Sequence, residues 1–125
     1  MMKMTSEQLY AYVTLLNNLD VLIKLDREEK KKAEENSDDF FAGMEDTRYT
    51  ARLHKTADEL DAFRREHREE LDGLCEMLGA YQKESGRGWY IKRRKLMVNG
   101  DEATAFFFNV EEEFNLDAEL RKMKF

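Results

Sequence analysis

The spacing of apolar residues predicts a helix at the start of the chain. Thr5 and Gln8 have the spacing of a capping box, which places the first turn at Thr5. Apolar side chains then recur at alternating steps of three and four residues, at Leu9, Tyr12, Leu16, Leu19 and Ile23. This spacing is typical of one helix packed along another. A second row widens the apolar face, so we expect this helix to contact two neighbours; the row comprises Val13, Leu15, Leu22 and Leu25.

A charged segment follows Leu25, and a second apolar series lies beyond it. The segment reads DREEKKKAEEN and predicts a solvated extension of helix one to about Glu35, because opposite charges lie three or four residues apart. Residues 36–39 then offer a break. The second apolar series repeats at close to seven residues, at Leu53, Ala57, Leu60, His67, Leu71, Leu74, Leu78 and Tyr81. It predicts a helix two from about residue 46 to about Lys83.

The two helices are expected to form an antiparallel, coiled-coil-like hairpin over residues 5–84. A short connection between neighbouring helices favours this arrangement. It would bring Leu16 level with residues 64–67. The glycines of the segment Ser85-Gly86-Arg87-Gly88 are expected to end helix two.

Residues 88–112 change to the alternating pattern of a β-hairpin around Asn99-Gly100. Turns of two or four residues put the same side chains on each face. A first face would carry Trp89, Ile91, Arg93, Lys95, Met97, Phe106, Phe108 and Val110. A second face would carry Tyr90, Lys92, Arg94, Leu96, Phe107 and Asn109. We expect the first face to pack on helix one, because two strands alone are marginally stable.

The predicted fold class is therefore α+β, in a single domain covering residues 1–125. It combines the long helical hairpin, the β-hairpin and a short helix over residues 115–124. Asn115 is the expected N-cap of that last helix. We expect no signal peptide or membrane span, because the chain has no long apolar run. The lone Cys75 cannot form an internal disulfide, which favours a reducing, cytoplasmic setting.

The residue types that commonly carry catalysis or bind metals are poorly placed for either role. Eight residues of helix separate His67 from Cys75, about 12 Å, which is too far for one metal ion. His67 and Cys75 fit core positions instead, and His54 has no nearby companion. The acidic residues fit a solvated surface, since a narrow helical hairpin offers little cavity in which to shift a carboxyl pKa. We therefore expect no metal, no cofactor and no enzymatic activity.

The net charge of −6 is unevenly distributed, and the hairpin contains a basic cluster. Residues 81–98 hold six basic residues and one acidic residue, whereas residues 99–119 hold seven acidic and no basic residues. The cluster, Lys92-Arg93-Arg94-Lys95, could neutralise phosphates while Tyr90 and Phe107 stack on unpaired bases. The alternative is structural, because basic residues on exposed strands pair across the sheet and discourage edge-to-edge aggregation.

A second candidate surface is the apolar group Phe40, Phe41 and Met44 between the two helices. At the end of a charged helical extension, these side chains could dock a protein partner. Alternatively, the loop folds back and covers the helix–helix contact with its own phenylalanines.

These patterns favour a non-catalytic protein-binding adaptor or inhibitor as the function. The residues predicted to bind a partner are Phe40, Phe41, Met44, Tyr90, Lys92, Arg94 and Phe107. A further hypothesis, based on charge alone, is that the acidic helices imitate nucleic acid and inhibit a nucleic-acid-binding enzyme, as small phage proteins do. The second function considered is a nucleic-acid-binding module using Lys92, Arg93, Arg94 and Lys95. Long helical hairpins also self-associate, so a homodimer is expected.

Overall fold

The computed structural model describes residues 3–38, 41–84 and 86–123, and its fold is α+β. The helices are α1 (Ser6–Glu35), α2 (Thr50–Glu66), α3 (Arg68–Met77) and α4 (Leu116–Lys122), with a 3₁₀ turn at Ala42–Met44. The strands are β1 (Trp89–Asn99) and β2 (Thr104–Phe114). The chain divides into two compact units, Met4–Arg68 and Glu69–Phe125 with Met1–Lys3, called here the helical unit and the hairpin unit. The single domain and the packing of the β-hairpin on helix one stay predictions.

In the helical unit, α1 begins where the sequence predicts. The Thr5 hydroxyl accepts a hydrogen bond from the Gln8 amide at 3.1 Å, and the Gln8 side chain accepts one from the Thr5 amide at 2.9 Å. This confirms the capping box, which satisfies amides that the first helical turn leaves without partners. The long polar extension is also helical, since α1 continues to Glu35.

Helices α1 and α2 run antiparallel, as predicted, but their pairing is offset. The Tyr12 and Phe63 rings are 5.4 Å apart, and the Arg64 Nε donates to the Tyr12 hydroxyl. Near the other end, Asp26 accepts hydrogen bonds from Thr47 and Thr50. These contacts place Leu16 level with about residue 60 rather than 64–67. The predicted alignment was therefore wrong by one to two helical turns. The cause is that residues 42–44 run back along α1, with Gly43 next to Glu34, so that α2 begins opposite Asp26 instead of at the end of α1.

The prediction of one continuous helix two was also wrong. The helix is interrupted at His67, and α3 ends at Met77 instead of near Lys83. Gly79 ends α3 with a φ of +92°, and the Ala80 amide bonds back to the Cys75 carbonyl. A glycine in this left-handed conformation is the usual residue after a helix, because it has no Cβ to clash. The predicted stop at Gly86 and Gly88 lies beyond the true one.

The β-hairpin has the expected face parity. Residues of β1 and β2 pair antiparallel from Trp89 with Phe114 to Asn99 with Thr104. A four-residue loop over 100–103 joins the strands, and Ala103 takes the positive φ of 51°. Because the loop length is even, the two predicted faces are confirmed by the pairing.

The core of the hairpin unit lies at the base of the hairpin, away from the 100–103 loop. Buried residues form this core with partly buried neighbours packed around them: Cys75, Ala80 and Phe114, with Leu78, Trp89, Ile91 and Leu116. Tyr81 pairs with Tyr90 through two backbone hydrogen bonds of 2.8 Å, which fixes the chain after α3 against the start of β1. Asn115 caps α4, since its side chain accepts from the Ala118 amide.

Candidate functional site

Large apolar side chains lie exposed in the half of the hairpin next to the 100–103 loop. The group, called here the distal patch, comprises Leu96, Met97, Val98, Phe106 and Phe107. Each of these side chains is between 49% and 64% exposed. Apolar residues at the base of the same strands, such as Ile91 and Phe114, pack in the core instead. Exposed apolar side chains that are neighbours on one face of a sheet typically mark a surface that binds something.

The strand pairing divides the distal patch between the two faces of the hairpin. On the second face, Leu96 lies opposite Phe107 and Val98 lies opposite Ala105. On the first face, Met97 lies opposite Phe106. Sequence reasoning selected only Phe107 from this group as a binding residue. The apolar alternation is the same in both halves of the hairpin. It therefore assigns residues to faces, but it does not show which half packs in the core and which half is exposed.

Cationic side chains border the apolar residues of the second face. The Arg94 guanidinium lies over the Phe107 ring, 4.2 Å from its centroid. Lys92 lies two residues further toward the base, next to Tyr90. The predicted binding residues Tyr90, Lys92, Arg94 and Phe107 therefore share one face, as the pairing confirms. Their role in binding stays a prediction.

The remaining cations of the basic cluster are paired on the first face. Arg93 contacts Glu112 at 3.1 Å and Glu119 of α4 at 2.7 Å. Lys95 also pairs with Glu112. The hydrogen bond from Lys95, together with the nearby charges of Lys95 and Arg93, lowers the pKa of Glu112. The structural role for the basic cluster therefore applies to Arg93 and Lys95, which connect the strands to each other and to α4.

A second charged group surrounds Glu111 at the base of the second face. Glu111 accepts a hydrogen bond from the Tyr81 hydroxyl and pairs with Lys83, which lies over the Tyr90 ring at 4.3 Å. The Lys83 hydrogen bond is the main cause that lowers the pKa of Glu111, and the carboxylate in turn raises the pKa of Tyr81 to about 12. Lys92 lies directly opposite Glu111 in the strand pairing. Acidic groups are thus interleaved with the cations at this end.

The loop at the other end of the hairpin is acidic. Asp101 and Glu102 are exposed, and the Asp101 amide donates to the Asn99 side chain at 3.2 Å. Along the second face the order is therefore cations at Lys92 and Arg94, then apolar side chains, then acids at the loop. This order matters for what the face can bind.

The helical unit offers two further surfaces. Phe41 is 61% exposed and Met44 is 72% exposed, whereas Phe40 lies outside the described residues. Phe41 and Met44 are therefore largely exposed, and both a docking role for the group and its alternative role as a cover of the helix–helix contact stay predictions. Between α1 and α2 there is also an open groove of about 470 Å³. It is lined by Val21, Leu22, Leu25, Tyr49, Arg52 and Lys55, among others.

Opposite charges are paired along the helices. Lys30 pairs with Asp26 at 3.1 Å, and Arg48 pairs with Glu29 at 3.2 Å. A rod that imitates nucleic acid needs carboxylates without neighbouring cations, so these pairs weaken the case for nucleic-acid imitation. That hypothesis stays untested.

The residue types considered for catalysis or metal binding lie apart. Cys75 is buried in the core, and burial raises the pKa of its thiol to about 11, so the thiol is protonated at neutral pH. The His67 ring packs on Phe63 at 4.3 Å, and His54 is exposed. Within residues 3–38, 41–84 and 86–123, no group of three or more His, Cys, Asp or Glu side chains could hold a metal ion. In the same residues, each helix is too short or too polar to span a bilayer.

Comparison of the chain with protein-family models, with curated proteins and with solved structures finds no match. Its function must therefore be inferred from the surfaces and charges described above. Of these surfaces, the distal patch combines the most exposed apolar side chains with charged groups at both of its borders.

Proposed function

We propose that this chain is a non-catalytic protein-binding protein that docks through the distal patch. The observation that supports the proposal is the exposure of Leu96, Met97, Val98, Phe106 and Phe107 on strands whose other half is packed in a core. Exposed apolar residues on strands are a liability, since they favour aggregation. A binding role accounts for their presence where polar residues would serve the fold equally well.

The size of the patch is adequate for specific binding. Fully burying one Leu, Val or Phe side chain contributes about 1.5–3 kcal/mol. Association costs about 4–15 kcal/mol in lost translational and rotational freedom, so the three side chains of the patch on the second face, with a matching number from a partner, can offset that cost. The rigid aromatic Phe107, held beneath Arg94, has the properties of a central anchor residue.

The double substitution Leu96→Ser with Phe107→Ser tests this proposal. We expect the variant to lose the proteins that the wild-type chain retains from a nuclease-treated lysate of its source cell. The fold should persist, because both side chains are more than half exposed. Circular dichroism before and after heating measures that persistence.

Tyr10→Ser is the matched control, since Tyr10 is 69% exposed but lies on α1 in the helical unit. This variant should retain the same proteins as the wild type. Identical retention by the wild type, the control and the hairpin variant would show that binding does not use the distal patch.

Nucleic-acid binding is the second candidate function, and one observation favours it. Lys92 and Arg94 share a face with Tyr90 and Phe107, which provides cations and exposed rings together. The basic footprint is reduced to these two cations, since Arg93 and Lys95 are paired on the first face. Glu111 at the base and the acidic residues of the loop would repel phosphate groups at both ends of the face.

Fluorescence anisotropy with single-stranded RNA and DNA oligonucleotides tests this second candidate. Binding through the two cations should weaken with salt with a logarithmic slope of only about −1.4, since about 0.7 counterion is released per contacted phosphate of a single strand. Lys92→Glu with Arg94→Glu should abolish it. Binding that is unaffected by this double substitution would mean that the basic face is not the nucleic-acid site.

A further inference from the structure

The second face of the hairpin has a charge order that is complementary to itself. Lys92 and Arg94 lie on one side of the apolar residues Leu96, Val98 and Phe107, and Asp101 and Glu102 lie on the other side. Glu111 and Glu113 also lie on the cationic side, where Lys83 pairs with Glu111, so that side holds three cations and two carboxylates. Reversing the direction of the face therefore sets a net positive end against the acidic loop, while the apolar centre stays in place. A surface with this property can bind a second copy of itself.

We propose that the partner of the second face is a second copy of this chain, in an antiparallel face-to-face dimer. The inference rests on the proposed function, because it identifies the partner of the same distal patch. The two-fold axis would pass between Leu96 and Val98. Arg94 precedes this point by three residues, about 10 Å at 3.3–3.4 Å per residue, and the 100–103 loop begins three residues after it. Each copy would therefore place Arg94 over the acidic loop of the other, with Lys92 on the side of Arg94 away from the axis.

The charges also select this orientation against the alternative. In a parallel dimer β1 of one copy would lie over β2 of the other, and the two acidic loops would lie together. The carboxylates of Asp101 and Glu102 would then repel those of the second copy. Arg94 would face Asn109 instead of an acid, and Lys92 would face Glu111, which is already paired with Lys83. The parallel arrangement is therefore disfavoured.

The first face does not have this pattern. Its cations, Arg93 and Lys95, are paired with Glu112 and Glu119 within the same chain. Their charges are therefore balanced before any second copy approaches. The self-complementary order belongs to the second face.

Charge exchange between two variants tests the dimer, with the purified full chain as the only component. One variant carries Lys92→Glu and Arg94→Glu, and the other carries Asp101→Lys and Glu102→Lys. Each variant alone sets like charges against each other at both ends, so its dimer dissociation constant should rise at least about tenfold. An equimolar mixture of the two should recover the wild-type constant, because opposite charges then face each other at both ends. Sedimentation velocity at low salt measures all three.

Single substitutions test whether the second face is used, without changing charge. Leu96→Ser should weaken the dimer, whereas Tyr10→Ser, on α1 in the helical unit, should leave it unchanged. Both residues are more than half exposed, so both variants should fold.

Two results would overturn the proposal. A wild-type chain that is monomeric at about 100 μM, where even a weak dimer is well populated, does not self-associate. If such a monomer still retains another protein through Leu96 and Phe107, the proposed function stands and only the identity of the partner is wrong. A dimer that resists either charge variant, or that the mixture fails to restore, uses a different surface.

Discussion

Leu60→Ala is expected to lower the free energy of unfolding by about 3 kcal/mol, within the 2–5 kcal/mol typical of a buried leucine. Leu60 is 2% exposed, and the pairing of α1 with α2 places it level with Leu16, which is 1% exposed. Removing its side chain loses the transfer free energy of three carbons and leaves a cavity between the two helices. The remaining contacts of this unit include polar pairs on the surface, which contribute little.

Urea denaturation followed by circular dichroism at the helical signal measures this effect. Val21→Ala is the control, because Val21 lies on α1 and is 56% exposed. Its free energy of unfolding should change by less than about 0.5 kcal/mol. Equal losses in the two variants would mean that Leu60 is not a core residue of the helical unit.

Asp26→Asn is expected to lower the free energy of unfolding at neutral pH and to make it less dependent on pH in acid. The Asp26 carboxylate is buried, and it accepts hydrogen bonds from Thr47 at 2.5 Å and Thr50 at 2.7 Å, with Lys30 at 3.1 Å. These contacts join α1 to the start of α2, where the Thr50 hydroxyl accepts from the Thr47 amide and the Thr47 hydroxyl accepts from the Tyr49 amide. Asparagine would keep the shape but replace a charged acceptor by a neutral one, and its amide nitrogen cannot accept a hydrogen bond.

The pH dependence follows from the direction of the pKa shift. The hydrogen bonds from Thr47 and Thr50, with a smaller contribution from Lys30, lower the pKa of Asp26 from 3.8 to about 2. The unfolded chain therefore binds a proton more readily than the folded chain. The stabilisation from this carboxylate is full above pH 4 and is lost as the pH falls from about 4 to about 2.

Stability curves of the wild type and Asp26→Asn, measured by urea denaturation between pH 2 and pH 7, check this prediction. Glu111 and Glu112 also have lowered pKa values, but their contributions are common to both proteins and cancel in the difference. Asp58→Asn, at an exposed position of α2, controls for the loss of one carboxylate. Parallel curves for the wild type and Asp26→Asn below pH 4 would contradict the assigned role of Asp26.

The Asp26 contacts illustrate what sequence reasoning could not supply. The carboxylate was interpreted as part of a solvated charged segment, because Asp26 opens the run DREEKKKAEEN. Its burial arises from Thr47 and Thr50, which lie 21 and 24 residues later. No periodicity in the sequence connects residues at that separation. The same limit applies to Arg93, whose partner Glu119 is 26 residues away.

The error over helix two has a different origin. Apolar spacing continues through His67 toward Tyr81, so it predicted one long helix. Spacing reports which side of a helix would be buried, but it is insensitive to a single residue that leaves the helical conformation. The stop at Gly79 has a local signal, a glycine, but that glycine lies within the apolar series, so the spacing favours the later glycines as the helix end.

The sequence alone determined the features that depend on neighbours a few residues apart: the start of α1 at its capping box, the antiparallel sense of α1 and α2, the two faces of the hairpin and the cap of α4. Tertiary structure decided the offset between α1 and α2 and the burial of Asp26. It decided which cations of the basic cluster pair with acids, such as Arg93, and which border the apolar residues, such as Arg94. It also decided that the core ends partway along the hairpin, which leaves Leu96, Val98 and Phe107 exposed. The physical reason is that hydrogen-bond spacing and side-chain periodicity are local, whereas burial depends on which distant segments meet.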